Sequence, residues 1–293
     1  MRFGTLDING RATVVIVSDD GKNYREAADL VPGFSGDMTD FIARATALPK
    51  DAAQGGTWKP IAGNKVLAPI PTPRRNIFCV GKNYHEHAKE FSQSGFDTSA
   101  TKGEIAPAAP VVFTKAPQTV VADNDTVLAF SNVTSQLDYE AELAIVIGKP
   151  GRGISKADAL KHVWGYTIVN DVTARDLQQK HRQWFLGKSM DTFCPMGPFI
   201  VTADEVGDAA NLNVKCWING ELRQDANTSD LIFDIPTIIE TISAAMELKP
   251  GDVIATGTPA GVGIGFNPPK FLKSGDEMKI SIDKLGTLTN RIE

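Results

Sequence analysis

The sequence has few cysteines, no long apolar run and no excess of positive charge. Its three cysteines, Cys79, Cys194 and Cys216, are widely spaced, so they form neither a disulfide framework nor a CxxC metal motif. No apolar stretch approaches the ~20 residues that a membrane-spanning helix needs, and residues 1–7 lack the apolar core of a signal peptide. The net charge of −5 disfavours nucleic acid and anionic membranes as partners. These absences predict a cytoplasmic protein with reduced thiols.

Length and composition indicate an ordinary globular protein of about two domains. The chain has 293 residues, of which 42% are apolar and 22% are charged. Residues 1–70 include an apolar strand but no group of residues typical of a reactive site. Pro69, Pro71 and Pro73 then form a stiff, extended connector. We therefore predict a small N-terminal domain over residues 1–70 and a larger domain over residues 75–293.

The stretch from Asp138 to Ile147 is typical of a buried strand that begins with acidic residues. Because residues two apart share a face of a strand, we expect Asp138, Glu140 and Glu142 on one side. Neighbouring carboxylates repel one another, and burying each without a partner costs free energy. An all-oxygen cluster suits a hard cation such as Mg²⁺, Mn²⁺ or Ca²⁺ better than it suits zinc. The alternative is a solvated strand face that pairs with Lys or Arg on the next strand.

Two further groups of polar residues adjoin apolar segments. Asp171 follows the predicted buried strand 164–170, so it is a candidate third ligand. His87 and Glu90 lie three residues apart in a helical segment, where their side chains can touch. A carboxylate beside an imidazole orients the ring and makes it a better base for activating water. The alternative is a charge pair on the surface of a helix.

Three other segments bear on a possible site. Residues 92–110 are rich in Ser, Thr, Gly, Ala and Pro, which predicts a mobile loop that could serve as a lid. The glycines of segment 257–263 could bring backbone N–H groups to a carboxylate, although a plain turn would leave the same pattern. Lys188 lies among Trp, Phe and Met residues, where it could be a reactive amine or the partner of an acid.

Five segments in a fixed order carry a specific resemblance. They are Gly81–Tyr84 with His87 and Glu90, Tyr139–Leu143, Asn170–Asp176, Gly187–Asp191 and Thr256–Gly263. Together they resemble the fumarylacetoacetate hydrolase family, from about residue 77 to the C-terminus. The resemblance implies an α+β, β-rich fold, in which a mixed β-roll catalytic domain follows a small N-terminal α+β domain. It also implies a homodimer.

The same resemblance implies roles for individual residues. Glu140, Glu142 and Asp171 would hold Mg²⁺ or Mn²⁺, which leaves Asp138 without a ligand role. Lys188 would lie beside the reacting oxygen as a catalytic and substrate-binding residue. Gln178 and Thr258 would surround the substrate. His87 and Glu90 would be the catalytic pair that activates water.

These roles imply a metal-dependent hydrolase that cleaves a C–C bond of an acylpyruvate or another 2,4-dioxo acid. The substrate's pyruvate-like end would chelate the cation, which would stabilise the enolate left by cleavage. Oxaloacetate-type decarboxylation and dienoate isomerisation are alternatives within the family. A non-catalytic module that binds a carboxylate ligand or structural Ca²⁺ is an alternative of a different class. His87 and Glu90 disfavour it, because binding alone requires no base.

Overall fold

A mixed sheet of twelve strands runs through the computed structural model, which describes residues 1–31, 33–45, 55–95 and 106–293. The strands before residue 70 are β1 (Arg2–Ile8), β2 (Arg11–Val17), β3 (Asn23–Glu26), β4 (Lys59–Pro60) and β5 (Lys65–Leu67). The later strands are β6 (Ile77–Gly81), β7 (Val111–Lys115), β8 (Val120–Val121), β9 (Thr126–Val127), β10 (Leu137–Asp138), β11 (Ala141–Ile147), β12 (Val163–Asn170), β13 (Thr173–Ala174), β14 (Cys194–Thr202), β15 (Asn213–Ile218), β16 (Glu221–Asn227), β17 (Val253–Ala255), β18 (Glu277–Ile282) and β19 (Gly286–Ile292).

Short helices connect these strands. The α-helices are α1 (Met38–Arg44), α2 (His85–Gln93), α3 (Arg175–Lys180), α4 (Phe185–Lys188), α5 (Ala203–Val206) and α6 (Ile235–Ser243). Single 3₁₀ turns cover Ala27–Asp29, Pro117–Thr119, Ala159–His162, Thr228–Asp230 and Gly263–Gly265. In the part of the chain that the structure describes, no helix has the length and apolarity needed to cross a membrane. The three cysteines are buried, and none of them forms a disulfide.

The strand order confirms the predicted β-rich α+β class. The large sheet follows the order β4-β3-β2-β1-β14-β12-β11-β17-β6-β7, with β5 added beside β1 and β8 beside β14. A second sheet has the order β16-β15-β18-β19-β9, and β10 pairs with β13. Most neighbours are antiparallel, but β17 and β6 are parallel.

The centre of the large sheet brings four strand ends to one edge. All seven residues of β11 are buried, because β12 and β17 flank it and apolar clusters cover both of its faces. Ala141 pairs with Asn170, so Glu140 just precedes β11 where Asp171 just follows β12. The end of β17 leads into Thr256 and Gly257 at the same edge, where β6 also ends. This edge therefore brings together residues that are far apart in sequence.

Strand pairing is interrupted between β10 and β11. The stretch from Asp138 to Ile147 was predicted as one strand, and this prediction is wrong, because β10 ends at Asp138 and β11 begins at Ala141. The backbone N–H of Tyr139 donates to the Asp138 carboxylate at 3.0 Å, and that of Glu140 donates to the Asn170 side chain at 3.0 Å. These side-chain acceptors replace the strand partners. For the proposed lid, residues 96–105 lie outside the described ranges.

Strands from both sides of the predicted domain boundary share the large sheet. Arg2 pairs with Val201 and Phe3 with Ile200, which joins β1 to β14. The division into residues 1–70 and 75–293 stays a prediction.

Candidate metal centre and active site

Three buried carboxylates converge at the edge where β11 begins and β12 ends. Glu140, Glu142 and Asp171 each offer an oxygen atom, and these oxygens lie within 4.8 Å of one another. The three side chains come from the two neighbouring strand ends described above, and all are buried. The structure thus brings together the three residues that the sequence predicted as ligands.

Buried cations contact two of these carboxylates. Lys188 Nζ lies 2.9 Å from Oε2 of Glu140 and 2.6 Å from Oδ2 of Asp171. Arg175 Nη2 lies 2.7 Å from Oε1 of Glu140, and Lys115 Nζ lies 2.6 Å from Oδ1 of Asp171. Burial alone would raise the pKa of Glu140, but the attraction of Lys188 and Arg175 outweighs it and lowers the pKa.

Lys188 is an ion-pair partner in this arrangement. Burial opposes its positive charge, but Asp171 and Glu140 more than compensate and raise the pKa of the ammonium group. It therefore remains protonated at neutral pH. Of the two roles that the sequence left open, the structure favours the partner of an acid over the free, reactive amine.

Glu142 differs from its two neighbours. Its Oε2 accepts a hydrogen bond from the backbone N–H of Gly257 at 2.8 Å, but no cation among the described residues forms an ion pair with it. Burial first, and then the charges of Asp171 and Glu140, raise the pKa of Glu142 well above its ordinary value. A positive charge bound nearby would stabilise the ionised form of this carboxylate.

A divalent cation fits this donor set. Three buried cations form ion pairs with three of the four buried carboxylates at this edge, which leaves Glu142 without an ion pair among the described residues: Lys115, Arg175 and Lys188 with Asp138, Glu140 and Asp171. The converging donors are all carboxylate oxygens, which suit Mg²⁺, Mn²⁺ or Ca²⁺.

Asp138 has a different environment from the one its position in the sequence suggested. Its Oδ2 lies 2.9 Å from Nε of Arg175, and its carboxylate accepts the backbone N–H groups of Gly263 and Ile264 at 2.6 and 3.1 Å. It therefore holds an arginine and a loop, and it is not part of the converging oxygen cluster. The expectation that it shares a face with Glu140 and Glu142 fails because the strand is interrupted.

His87 and Glu90 form a direct pair on α2. His87 Nδ1 lies 3.1 Å from Oε2 of Glu90, and the other oxygen of Glu90 accepts the backbone N–H of Gly261 at 3.0 Å. The His87 side chain is 5% exposed, which excludes the alternative of a surface helix contact. Because an ionised carboxylate only accepts hydrogen bonds, we assign the proton to Nδ1. The other ring nitrogen, Nε2, is then free to exchange a proton.

A small cavity joins His87 to the carboxylates. The predicted site residues in its wall are His87, Glu140, Glu142, Gln178, Lys188 and Thr258. Asp171 lies behind Lys188, and Glu90 lines a neighbouring cleft. Gln178 accepts from Arg175 at 3.2 Å, while Thr258 donates to the carbonyl of Ala141 at 3.0 Å.

The glycine-containing loop after β17 serves the site through its backbone. Gly257, Gly261 and Gly263 each donate an N–H group to a different carboxylate, those of Glu142, Glu90 and Asp138. This agrees with the interpretation of these glycines as backbone donors, against a plain turn.

Sequence reasoning gave no role to three charged residues of the site. Arg175 and Lys82 lie in the cavity wall, and Lys115 lies behind Asp171. Arg175 and Lys82 occur in the segments that carry the family resemblance, which was an available signal. Lys115 had a weaker signal, since it is the charged end of a mainly apolar strand.

Comparison with known proteins gives concordant results along the whole chain. Residues 76–293 match the family model described as fumarylacetoacetate (FAA) hydrolase C-terminal. The chain is 47% identical over 312 aligned residues to the oxaloacetate tautomerase YisK of Bacillus subtilis, and the alignment covers 100% of both proteins.

Two solved structures are similar over nearly their full length. A fumarylacetoacetate hydrolase from psychrophilic Exiguobacterium antarcticum has 41% identity and a TM-score of 0.85, covering 100% of this chain and 99% of that one. A 2-hydroxyhepta-2,4-diene-1,7-dioate isomerase from Mycobacterium marinum has 35% identity and a TM-score of 0.75, covering 100% and 98%.

Proposed function

The chain belongs to the fumarylacetoacetate hydrolase family of enzymes, and from this premise we propose that it is a divalent-metal-dependent oxaloacetate tautomerase. The observation that carries the proposal is the position of His87, a base held by Glu90, in the same cavity wall as the carboxylate cluster. A base beside a metal-held 2-oxo acid is what keto–enol interconversion requires. The 47% identity to an oxaloacetate tautomerase over both full lengths supports this choice.

We propose that Glu140, Glu142 and Asp171 hold Mg²⁺ or Mn²⁺. The bound cation would withdraw electron density from the 2-oxo group and stabilise negative charge on its oxygen. Support comes from the all-oxygen donor set and from Glu142, which forms no ion pair within the part of the chain that the structure describes.

His87 and Glu90 on α2 would carry out the proton transfer. Conversion of the enol to the keto form removes a proton from the 2-oxygen and adds one to C3, so no net proton is consumed. We propose that the unprotonated Nε2 of His87 takes the proton from the 2-hydroxyl group of the enol and delivers it to C3, and that the two transfers run in the opposite order from keto to enol. Glu90, which holds Nδ1, fixes the ring orientation and favours the charged imidazolium during transfer.

Charge restricts the class of substrate. A bound divalent cation would add positive charge to the buried cations of this site, which favours an anionic ligand over a neutral or cationic one. We propose that Gln178, Thr258 and Lys188 border the substrate in this cavity. All three contribute polar groups to a wall that is otherwise partly aromatic.

Hydrolysis of an acylpyruvate is the second candidate, and it is the activity that the sequence favoured. The same His87 would then take a proton from water as that water attacks the distal carbonyl. The structural likeness to a fumarylacetoacetate hydrolase supports this candidate. Oxaloacetate decarboxylation and dienoate isomerisation would use the same cation and cavity.

We also propose that the protein is cytoplasmic and forms a homodimer.

A substrate panel separates these activities. We expect metal-depleted protein to be inactive, and we expect Mg²⁺ or Mn²⁺ to restore oxaloacetate tautomerisation. The loss of enol absorbance measures this activity. His87→Ala should lower kcat about 10²–10⁴-fold. Pyruvate release from acetopyruvate, without tautomerisation, would favour the second candidate instead. Full activity after exhaustive chelation would contradict both.

The ligand assignment has its own control. Glu142→Gln should weaken Mn²⁺ binding at least about 100-fold in a calorimetric titration, because it removes a direct ligand. Glu277→Gln alters a surface carboxylate that pairs with Arg291 at 2.8 Å, and it should leave Mn²⁺ binding unchanged.

A further inference from the structure

Gln224 is a completely buried polar residue on β16 that the proposed mechanism does not use. Its Oε1 accepts the backbone N–H of Ala141 at 3.1 Å, and its Nε2 donates to the Thr258 hydroxyl and the Pro259 carbonyl, each at 2.8 Å. Because a backbone N–H only donates and a carbonyl only accepts, these partners fix the orientation of the amide. The amide of Gln224 therefore bridges two separate segments of the chain.

The bridge joins segments that carry different parts of the site. Ala141 is the first residue of β11 and lies between Glu140 and Glu142, two of the proposed metal ligands. The other partners of the amide lie in the loop after β17. In that loop the N–H of Gly261 donates to Glu90 at 3.0 Å, and Glu90 in turn holds the catalytic base. One buried side chain thus links the metal ligands to the catalytic pair.

A β-bulge in β16 directs Gln224 towards the loop. In the pairing of β15 with β16, the register shifts by one residue at Arg223. Leu222 and Gln224 would share a face of a regular strand, yet Leu222 is 45% exposed and Gln224 is completely buried. Bulges redirect side chains in this way and are frequent beside active sites.

The loop also packs closely against the backbone of β16. A Cβ atom on Gly261 would overlap the carbonyl oxygen of Arg223. The Tyr139 hydroxyl donates to the Gly261 carbonyl at 2.7 Å, and the Thr258 hydroxyl donates to the Ala141 carbonyl at 3.0 Å. The loop is therefore held between β11 and β16.

We propose that Gln224 is a positioning residue that sets the separation between the metal centre and the pair of His87 and Glu90. This inference rests on the proposed function, in which a base acts on a 2-oxo acid that the cation holds. An apolar side chain at this position would leave the Ala141 N–H without its acceptor and the loop without two donors, so the loop would shift relative to β11. A displacement of about 1 Å between reacting groups can lower a rate about 100-fold. Because Gln224 acts through the loop, its loss should affect kcat and not metal binding.

The first test compares Gln224→Met with Gln118→Met, which makes the same change at an exposed position in a 3₁₀ turn. With saturating Mn²⁺ and oxaloacetate, Gln224→Met should lower kcat about 100-fold. Calorimetric affinities for Mn²⁺ and for pyruvate should change less than about threefold, because the metal ligands keep their other partners. Gln118→Met should change none of these quantities. Gln224→Glu keeps the acceptor for Ala141 but lacks the two donors, so it should give a similar loss and serves where Gln224→Met does not fold.

A double variant tests the route of the effect. If Gln224 acts by placing the catalytic pair, adding Gln224→Met to Glu90→Ala should leave kcat at the value of Glu90→Ala alone. Losses of kcat that multiply would overturn the inference. So would an unchanged kcat in Gln224→Met while the wild type is active.

Hydrogen exchange by NMR, in the presence of Mg²⁺, separates this inference from the proposed function because it needs no turnover. The N–H groups of Gly257 and Gly261 report the contacts of the loop with Glu142 and Glu90. In Gln224→Met, both should lose at least about tenfold more protection than the N–H groups of the central strand β12. Equal losses in the loop and in β12 would mean that Gln224 supports only global stability, and the inference would fail. A loss confined to the loop supports the positioning role even where no tautomerisation is found.

Discussion

Lys115 and Lys188 donate to opposite oxygens of Asp171, each at 2.6 Å. Lys115 also donates to the carbonyl of Val172 at 3.0 Å and is completely buried. Two cations thus hold one carboxylate from two sides. Lys115 fixes where Asp171 points, and it also reduces the negative charge that a metal ion would meet.

These two roles predict that Lys115→Met lowers the stability of the metal-free protein but raises its affinity for Mn²⁺. Removing one partner of a buried pair should destabilise the metal-free protein by about 3–5 kcal/mol. The same change leaves the cluster more negative, so Mn²⁺ should bind more tightly. Chemical denaturation and calorimetric titration measure the two effects. Lys215→Met removes an exposed lysine that pairs with Asp225, and it should cost less than about 1 kcal/mol. Weaker Mn²⁺ binding in Lys115→Met would show that positioning of Asp171 outweighs charge.

At the scale of elements, the loop from Gly257 to Gly265 connects the metal centre to the catalytic pair. Its N–H groups hold Glu142, Glu90 and Asp138, and at Gly265 it approaches α2 closely. A Cβ atom on Gly265 would overlap the carboxylate of Glu90. The absence of a side chain at Gly265 thus permits this loop to lie against the helix that carries the catalytic pair.

Gly265→Ala should therefore act as a mutation of Glu90. We expect kcat to fall about 10²-fold or more, because the displaced carboxylate no longer orients His87, while Mn²⁺ affinity stays unchanged. Steady-state kinetics should give Gly265→Ala, Glu90→Ala and the double variant the same low kcat. A double variant whose kcat is the product of two separate losses would show that Gly265 acts independently of Glu90.

The sequence predicted single elements of the site better than their junctions. Apolar runs located the buried strands β11 and β12, and the spacing of His87 and Glu90 predicted their contact. The break between β10 and β11 could not be predicted, because its cause is the side chain of Asn170, thirty-two residues beyond Asp138. The role of Lys115 depends on the pairing of β6 with β7, which no local pattern encodes.

At the scale of the whole molecule, apolar side chains from the first strand and from the middle of the chain form one cluster. Phe3, Phe41 and Trp164 meet with ring centroids 5.1–6.3 Å apart, and Met196 and Ile200 belong to the same cluster. Residues 1–70 therefore bury part of their apolar surface against later strands.

This shared cluster predicts cooperative unfolding. Phe3→Ala should destabilise the protein by about 3–5 kcal/mol, as expected for a fully buried phenylalanine. Hydrogen exchange should show β1 and β12 losing protection together as denaturant is added. Phe185→Ala, at a 43% exposed position, should stay within about 0.5 kcal/mol of the wild type. Loss of protection in β1 well before β12 would instead support an independently stable N-terminal unit.

The pairing of Arg2 with Val201 has a consequence for the order of events during synthesis. A ribosome makes about 5–20 residues per second, so roughly ten to forty seconds separate the first strand from its partner in β14. Throughout that interval the apolar face formed by Phe3 and its neighbours lacks the surface that finally covers it. The nascent chain should therefore be a substrate for chaperones that bind exposed apolar segments, until residues 196–201 emerge.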